Sequence, residues 1–256
     1  MNPYIKDLNR IEVLITLACT GQCRHCSEGD HLKCSEHIDG DRMADLVRKV
    51  CRRFQIESLM TFGGEPLLYP EAVYKIHSAA KKMNIKKRQL ITNGFFSRDT
   101  NKIQYTAERL AGCGVNDILL SADAFHQETI SLETVKLFAK AVSAEGIPLR
   151  VHPAWLVSDE DENPYNQRTK EILKEFEQMG IGYSHGNIIF PSGNAKKYLS
   201  EYFDGQQPDN PYEENPEDVR TVTISPNGDT LGSNVYHTDI IDIIDIIENY
   251  KPIKKL

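Results

Sequence analysis

Apolar and polar residues alternate along Ile11-Glu12-Val13-Leu14-Ile15-Thr16-Leu17, the two-residue period of a half-buried strand. The period then lengthens. Over residues 41–54 the apolar positions are Met43, Leu46, Val47, Val50, Cys51 and Phe54, three and four apart, which predicts an amphipathic helix with Cys51 as a packing residue. The same exchange recurs down the chain. A strand over 58–62 precedes a helix with Val73, Ile76, Ala80 and Met83 on one face, and a strand over 89–92 precedes a helix over 100–111. Strand 117–121 and helix 132–144 come next, then strand 148–151 and helix 169–179, then a sixth strand over 187–190. Six strands and five connecting helices at these spacings suit right-handed crossovers and a parallel sheet. Pattern alone leaves that sheet curled into a partial barrel or open and doubly wound.

The tail breaks the repeat. Residues 205–218 are rich in Pro, Asn, Asp and Glu and read as a surface loop, which with Asp204 is markedly acidic. Residues 221–231 suggest a hairpin turning at Asn227-Gly228, and 239–249 a final helix. The expected organisation is a barrel domain over 1–200, with loop, hairpin and helix of 201–256 packed on it. A 40% apolar share and 26% charged share in 256 residues fit one globular unit. A formal charge of −7 argues against nonspecific nucleic-acid or anionic-membrane binding. The basic cluster Lys81, Lys82, Lys86, Lys87 and Arg88 brackets a helix end and a strand start, and reads as a solvated surface. Residues 1–10 lack a signal-like apolar stretch, and Asp242 and Asp245 interrupt the apolar run of 240–247. The expectation is a cytoplasmic protein with reduced thiols, whose cysteines bind metal or pack.

Three of the six cysteines, Cys19, Cys23 and Cys26, form a C-x3-C-x2-C array directly after the first strand. Soft thiolates in such density select iron–sulfur, zinc or copper(I). Zinc would need a fourth ligand from His25, His31, Cys34 or His37, whereas three ligands on an iron–sulfur cluster leave one position open. One strand–helix unit later stands Gly63-Gly64-Glu65-Pro66. Its glycines allow close backbone approach, and Glu65 offers an acceptor for an ammonium group; a plain turn is the alternative. Ser121 and Asp123 put a hydroxyl and a carboxylate at the fourth strand end, suited to a ribose diol or to a helix N-cap. Asn93 has the same double reading at the third.

A strand, then C-x3-C-x2-C with His25 before the third cysteine, then Gly-Gly-Glu-Pro, resembles the radical S-adenosylmethionine (SAM) superfamily across roughly residues 11–191. The resemblance implies an α/β fold, a partial (βα)6 TIM-like barrel with a short C-terminal hairpin and helix. It implies one [4Fe–4S] cluster on Cys19, Cys23 and Cys26, with the amino and carboxylate groups of SAM on the fourth iron. Reductive cleavage of SAM would give a 5′-deoxyadenosyl radical that abstracts a substrate hydrogen, with flavodoxin or ferredoxin as electron donor. Gly63, Gly64, Glu65 and Pro66 would meet the amino group of SAM, and Ser121, Asp123 and Asn93 its ribose side. His25, His152 and Ile189 would line adenine and methionine. Arg150, Trp155, Phe125, His126, Tyr183 and His185 are candidates around a substrate. Cys34 is a candidate hydrogen donor, although an idle loop thiol is the preferred reading. No cysteine follows Cys113, so no auxiliary cluster is expected.

The substrate expectation is a peptide, because residues 224–231 resemble the hairpin of peptide-modifying relatives; a small molecule is the alternative. Ser121-Ala122-Asp123-Ala124-Phe125 also resembles the nucleotide-modifying viperin pattern. A glycyl-radical activating enzyme fits the length but usually carries Asp-x-Lys where Ser-Ala-Asp stands here. A non-enzymatic metal module would leave Gly63–Pro66 and Ser121–Asp123 as coincidences.

Overall fold

The computed structural model describes residues 2–29, 34–203 and 215–246, and strand and helix alternate through them. Strand β1 (Arg10–Leu14) leads through the cysteine loop to helix α1 (Gly40–Arg53). Then come β2 (Ser58–Phe62), α2 (Pro70–Lys82), β3 (Lys87–Thr92), α3 (Thr100–Cys113) and β4 (Asp117–Leu120). A short α4 (Ala124–Gln127) precedes α5 (Leu132–Ala144) and β5 (Leu149–Val151). Asp39 starts α1 by accepting from the backbone N–H of Asp41 and Arg42, while Arg52 and Arg53 complement the dipole at its far end. Met43, Leu46, Val47 and Val50 are buried on the face that meets α2, each contributing about 1.5–3 kcal/mol of gross hydrophobic stabilisation.

Strands β1 to β5 pair in parallel in sequence order, and the sheet does not close. One face carries Ile11, Val13, Leu59, Leu90, Ile118, Leu120 and Val151, all buried in the main core with the helices. The opposite face carries a polar row set by the register Glu12–Met60–Gln89–Asp117. Arg10 donates to Glu12 and Gln89, Gln89 to Asp117, and Arg150 also pairs with Asp117. Arg150 thus reaches back toward the N-terminal end of β4, away from the cysteines.

The sixth strand is not the one the pattern suggested. Residues 187–190 supply only β7 (Asn187–Ile188), paired with β6 (Ala154–Trp155) in a separate two-stranded sheet. The main sheet takes its sixth strand from β8 (Thr221–Ile224), parallel to β1 and beyond it. The expected hairpin is therefore displaced. Asn227-Gly228 does turn, with Gly228 at φ 88, but the antiparallel pair is β9 (Asp229–Thr230) with β10 (Ser233–Asn234). Helix α6 (Pro164–Glu177) starts earlier than expected, capped by Asn163 with Pro164 in its first turn. The short α7 (Gly193–Tyr198) packs near the cysteine loop. Asp239 caps α8 (Ile240–Asp245); the expected continuation to 249, most of the acidic loop, and His31 lie outside the described residues. Among the described residues no helix is long and apolar enough to cross a membrane.

Candidate active site

In a parallel sheet every strand delivers its following loop to the same edge. Cys19, Cys23 and Cys26 follow β1, Gly63 to Glu65 follow β2, Asn93 follows β3, Ser121 follows β4 and His152 follows β5. Cys23 is buried, Cys19 and Cys26 are half-buried, and none of the three is in a disulfide. Burial pushes the Cys19 thiol up to about 11, with Glu65 adding to the effect. Burial, then Asp123, raises Cys23 well above the ordinary thiol range, and burial raises Cys26. Thiolates here call for positive charge beside them.

The glycine pair fits against the cysteine loop itself. A Cβ on Gly63 would lie 2.4 Å from the Thr16 carbonyl oxygen, and one on Gly64 2.3 Å from that of Ala18. Gly64 N–H donates to Thr16 O and Glu65 N–H to Ala18 O, both at 2.8 Å. The close approach expected toward a ligand is thus made first to the protein's own backbone. Gly63 also holds φ 146, which side chains rarely adopt.

Glu65 is turned inward. Its carboxylate is fully buried and accepts from Leu67 N–H (2.9 Å), the Thr92 hydroxyl (2.8 and 2.9 Å) and Asn93 N–H (2.9 Å). It caps the short helical turn Pro66–Leu68, in which Pro66 is buried. Burial raises its pKa to about 7 against these donors. Among the described residues Glu65 braces the loops after β2 and β3.

Asp123 is engaged more fully still. It is fully buried and caps α4 through Phe125 and His126 N–H, while its second oxygen meets Ala154 N–H (3.1 Å) and His126 Nδ1 (2.9 Å). Burial works against its ionisation, yet His126 holds it below the usual carboxylate range. The N-cap reading is what the geometry shows, and both oxygens have protein partners. Ser121 is half-buried at the end of β4 and donates its N–H to Thr92 O. His152 is half-buried, with Nδ1 2.7 Å from Ser184 Oγ, and burial lowers its pKa. Ile189 is buried with Phe125, Ala154, Leu156, Ala195 and Leu199 in a second apolar cluster.

The His25 ring sits 5.1 Å from Phe125 and 4.8 Å from His126, and Phe125 stacks on Tyr165 at 4.6 Å. Its Nδ1 is shielded from solvent and lacks a hydrogen-bond partner among the described residues; burial lowers its pKa to about 4. Ligand atoms of Cys23, His25 and His126 lie within 4.8 Å of one another. Trp155 is buried and donates to His185 O, while Tyr183 and His185 are exposed. Two hollows of about 400 and 800 Å³ lie elsewhere, one around Arg52 and Lys86, the other around His37, Tyr69 and Tyr236. Donor chemistry rather than hollow size therefore locates this site.

A family model of the Radical SAM superfamily matches residues 13–194, a span that contains the three cysteines, Glu65, Asn93, Ser121, Asp123, His152 and Ile189. The chain belongs to the radical SAM superfamily. Members of the superfamily are enzymes that use a [4Fe–4S] cluster and SAM. The chain is 28% identical over 208 residues to a probable GTP 3′,8-cyclase of Saccharolobus solfataricus, covering 78% of this chain and 63% of that protein. One from Methanocaldococcus jannaschii is 24% identical over 155 residues, covering 57% of this chain and 50% of its own length. The chain thus spans less than two thirds of these curated relatives. In fold it is similar to Streptococcus suis SuiB bound to S-adenosylmethionine, at TM-score 0.62 and 15% identity over 96% of this chain and 68% of that one. It is similar also to anSMEcpe with bound AdoMet, at TM-score 0.60 and 15% identity over 96% and 80%.

The donor set fits a radical SAM cluster: three thiols on one loop, with a nearby ring nitrogen still lacking a partner. The sequence reading missed what holds that loop from the other side. Asn194 Nδ2 donates to Cys23 O (3.2 Å) and Gly29 O (3.3 Å), its N–H to Cys26 O (2.9 Å), and Ser192 Oγ to Ser27 O (3.1 Å). Arg24, within the loop, pairs with Glu128 and donates to the Tyr165 hydroxyl. The only local signal was the helix-start sequence Ser192-Gly193-Asn194.

Proposed function

We propose that Cys19, Cys23 and Cys26 hold one [4Fe–4S] cluster, with SAM bound between it and the loops after β2 to β5, and that the protein abstracts hydrogen from a substrate carbon. The observation that carries this is that the loop bearing all three thiols, the Gly63-Gly64 contact and Asn93 lie at one sheet edge. When bound, the cluster and SAM supply the one-electron cleavage common to the family. The chain's own residues position and shield. Gly63, Gly64 and Glu65 set the distance between the loops, His25 and Phe125 form an aromatic wall, and Ser121 and His152 offer polar groups at the rim. A one-electron donor such as flavodoxin or ferredoxin would serve it.

The substrate we propose is a peptide. The sheet stays open between β5 and β8, and Val157, Tyr183 and Ile188, each about half exposed, lie on or beside the small β6–β7 sheet. An extended chain suits an open apolar margin better than an enclosed pocket does. The curated relatives named as GTP cyclases favour a nucleotide as the second reading.

Anaerobic reconstitution, reduction and incubation with SAM should release 5′-deoxyadenosine from the wild type and none from Cys26→Ala. Release by the cysteine variant would sink the cluster assignment. Small peptides should then accelerate release while GTP does not; acceleration by GTP alone would replace the peptide with the nucleotide.

A further inference from the structure

Asn93 does something the family resemblance did not assign. Its Oδ1 accepts Phe95 N–H at 2.8 Å, which fixes the amide orientation that such side chains usually leave ambiguous. The Nδ2 therefore faces the cysteine loop, 3.2 Å from Thr20 Oγ1 and 3.6 Å from Cys19 Sγ. The backbone is held as well, since Asn93 N–H donates to the buried Glu65 carboxylate. At 4% exposure the side chain meets little competition from water. Gly21 N–H reaches the same sulfur at 3.3 Å, so Cys19 carries two N–H donors.

We infer that Asn93 is a positioning residue for the cluster: it donates its side-chain N–H to the Cys19 sulfur and so raises the cluster's reduction potential. This rests on the reading of Cys19, Cys23 and Cys26 as the ligand set. The reduced cluster carries one more negative charge, spread partly over its sulfurs. A donor aimed at a sulfur therefore favours the reduced form, and hydrogen bonds of this kind are among the main determinants of such potentials.

The test is an EPR-monitored potentiometric titration of the reconstituted chain without SAM. Asn93→Ser keeps a side-chain acceptor for Phe95 N–H but is too short to reach Cys19. Asn93→Thr, also too short to reach the sulfur and carrying a hydroxyl acceptor for Phe95 N–H without added charge, carries the measurement if the serine variant holds no cluster. At the potential where wild type is half reduced, the ratio of reduced to oxidised variant should fall about tenfold, 59 mV for a one-electron couple. Thr20→Val removes the amide's other acceptor and should leave the potential in place. A full cluster at unshifted potential in the Asn93 variants overturns the inference, and so does an equal shift in Thr20→Val. A wild-type chain that takes up no cluster overturns the underlying ligand set and this inference with it.

Discussion

Replacing Glu65 by glutamine in the cluster-free chain should change stability in a way that depends on pH. The carboxylate accepts three donors, Leu67 N–H, Asn93 N–H and the Thr92 hydroxyl, while burial withholds solvent from it. Burial wins, and the folded-state pKa rises from 4.5 to about 7. For a carboxyl group raised in this way, the folded chain holds the proton more tightly than the unfolded one. The associated stability is fully present below about pH 4.5 and is lost as pH rises through about 7. The interval corresponds to about 3 kcal/mol, most of which falls between pH 5 and pH 8. Glutamine has no such titration. It resembles the protonated acid, with a local cost of about 1–3 kcal/mol if one backbone N–H loses its acceptor.

Urea unfolding of wild type and Glu65→Gln at both pH values isolates this group and those coupled to it, because uncoupled titrations cancel in the difference. The wild type should lose about 2–3 kcal/mol relative to the variant on going from pH 5 to pH 8. A constant difference would show that Glu65 does not titrate in this window. A difference moving the other way would mean that the three donors outweigh burial.

Three other changes test the loop architecture. Cys23→Ala should leave the fold intact and lower iron per chain sharply after anaerobic reconstitution; full iron content would remove Cys23 from the ligand set. Gly64→Ala forces a Cβ to within 2.3 Å of Ala18 O and should cost at least about 1–3 kcal/mol in denaturant unfolding, with an unchanged midpoint arguing that the two loops move apart freely. Asn194→Ala strips the side-chain donor from Cys23 O and Gly29 O and should speed iron loss to a chelator several-fold, while wild-type kinetics would make that contact incidental.

Much of the fold was legible because it is written locally. Strand β2 and helix α5 stand where the two periods put them, since a two-residue or 3.6-residue repeat is a property of neighbours in sequence. What failed was partnership. Thr221–Ile224 looks like one arm of a hairpin because Asn227-Gly228 is a genuine turn, yet it pairs with β1, more than two hundred residues earlier. Nothing in a four-residue strand names its neighbour. Residues 187–190 erred the same way, as the apolar run Ile188-Ile189-Phe190 suits a main-sheet strand equally well. The start of α6 was readable in Asn163-Pro164 but was hidden by a stripe that becomes regular only after Thr169.

The candidate site was legible to the level of motif and not of direction. Cys19, Cys23, Cys26 and Gly63 to Glu65 are short, dense signals. Whether Glu65 and Asp123 face a ligand or the protein depends on donors, Thr92 and Ala154 among them, that no motif contains. The cysteine loop shows why those donors matter. It is irregular backbone whose carbonyl groups need partners, and they come from outside it: Gly64 and Glu65 take Thr16 and Ala18, while Asn194 and Ser192 take Cys23, Cys26, Ser27 and Gly29. A loop satisfied in this way does not need its metal in order to have a shape. The cluster-free chain should therefore unfold cooperatively, unlike small zinc modules that fold only on binding. The amides of Gly64, Glu65 and Asn194 should resist hydrogen exchange before any iron is added. Free exchange at all three in an otherwise protected chain would mean that the cluster organises the loop, and not the reverse.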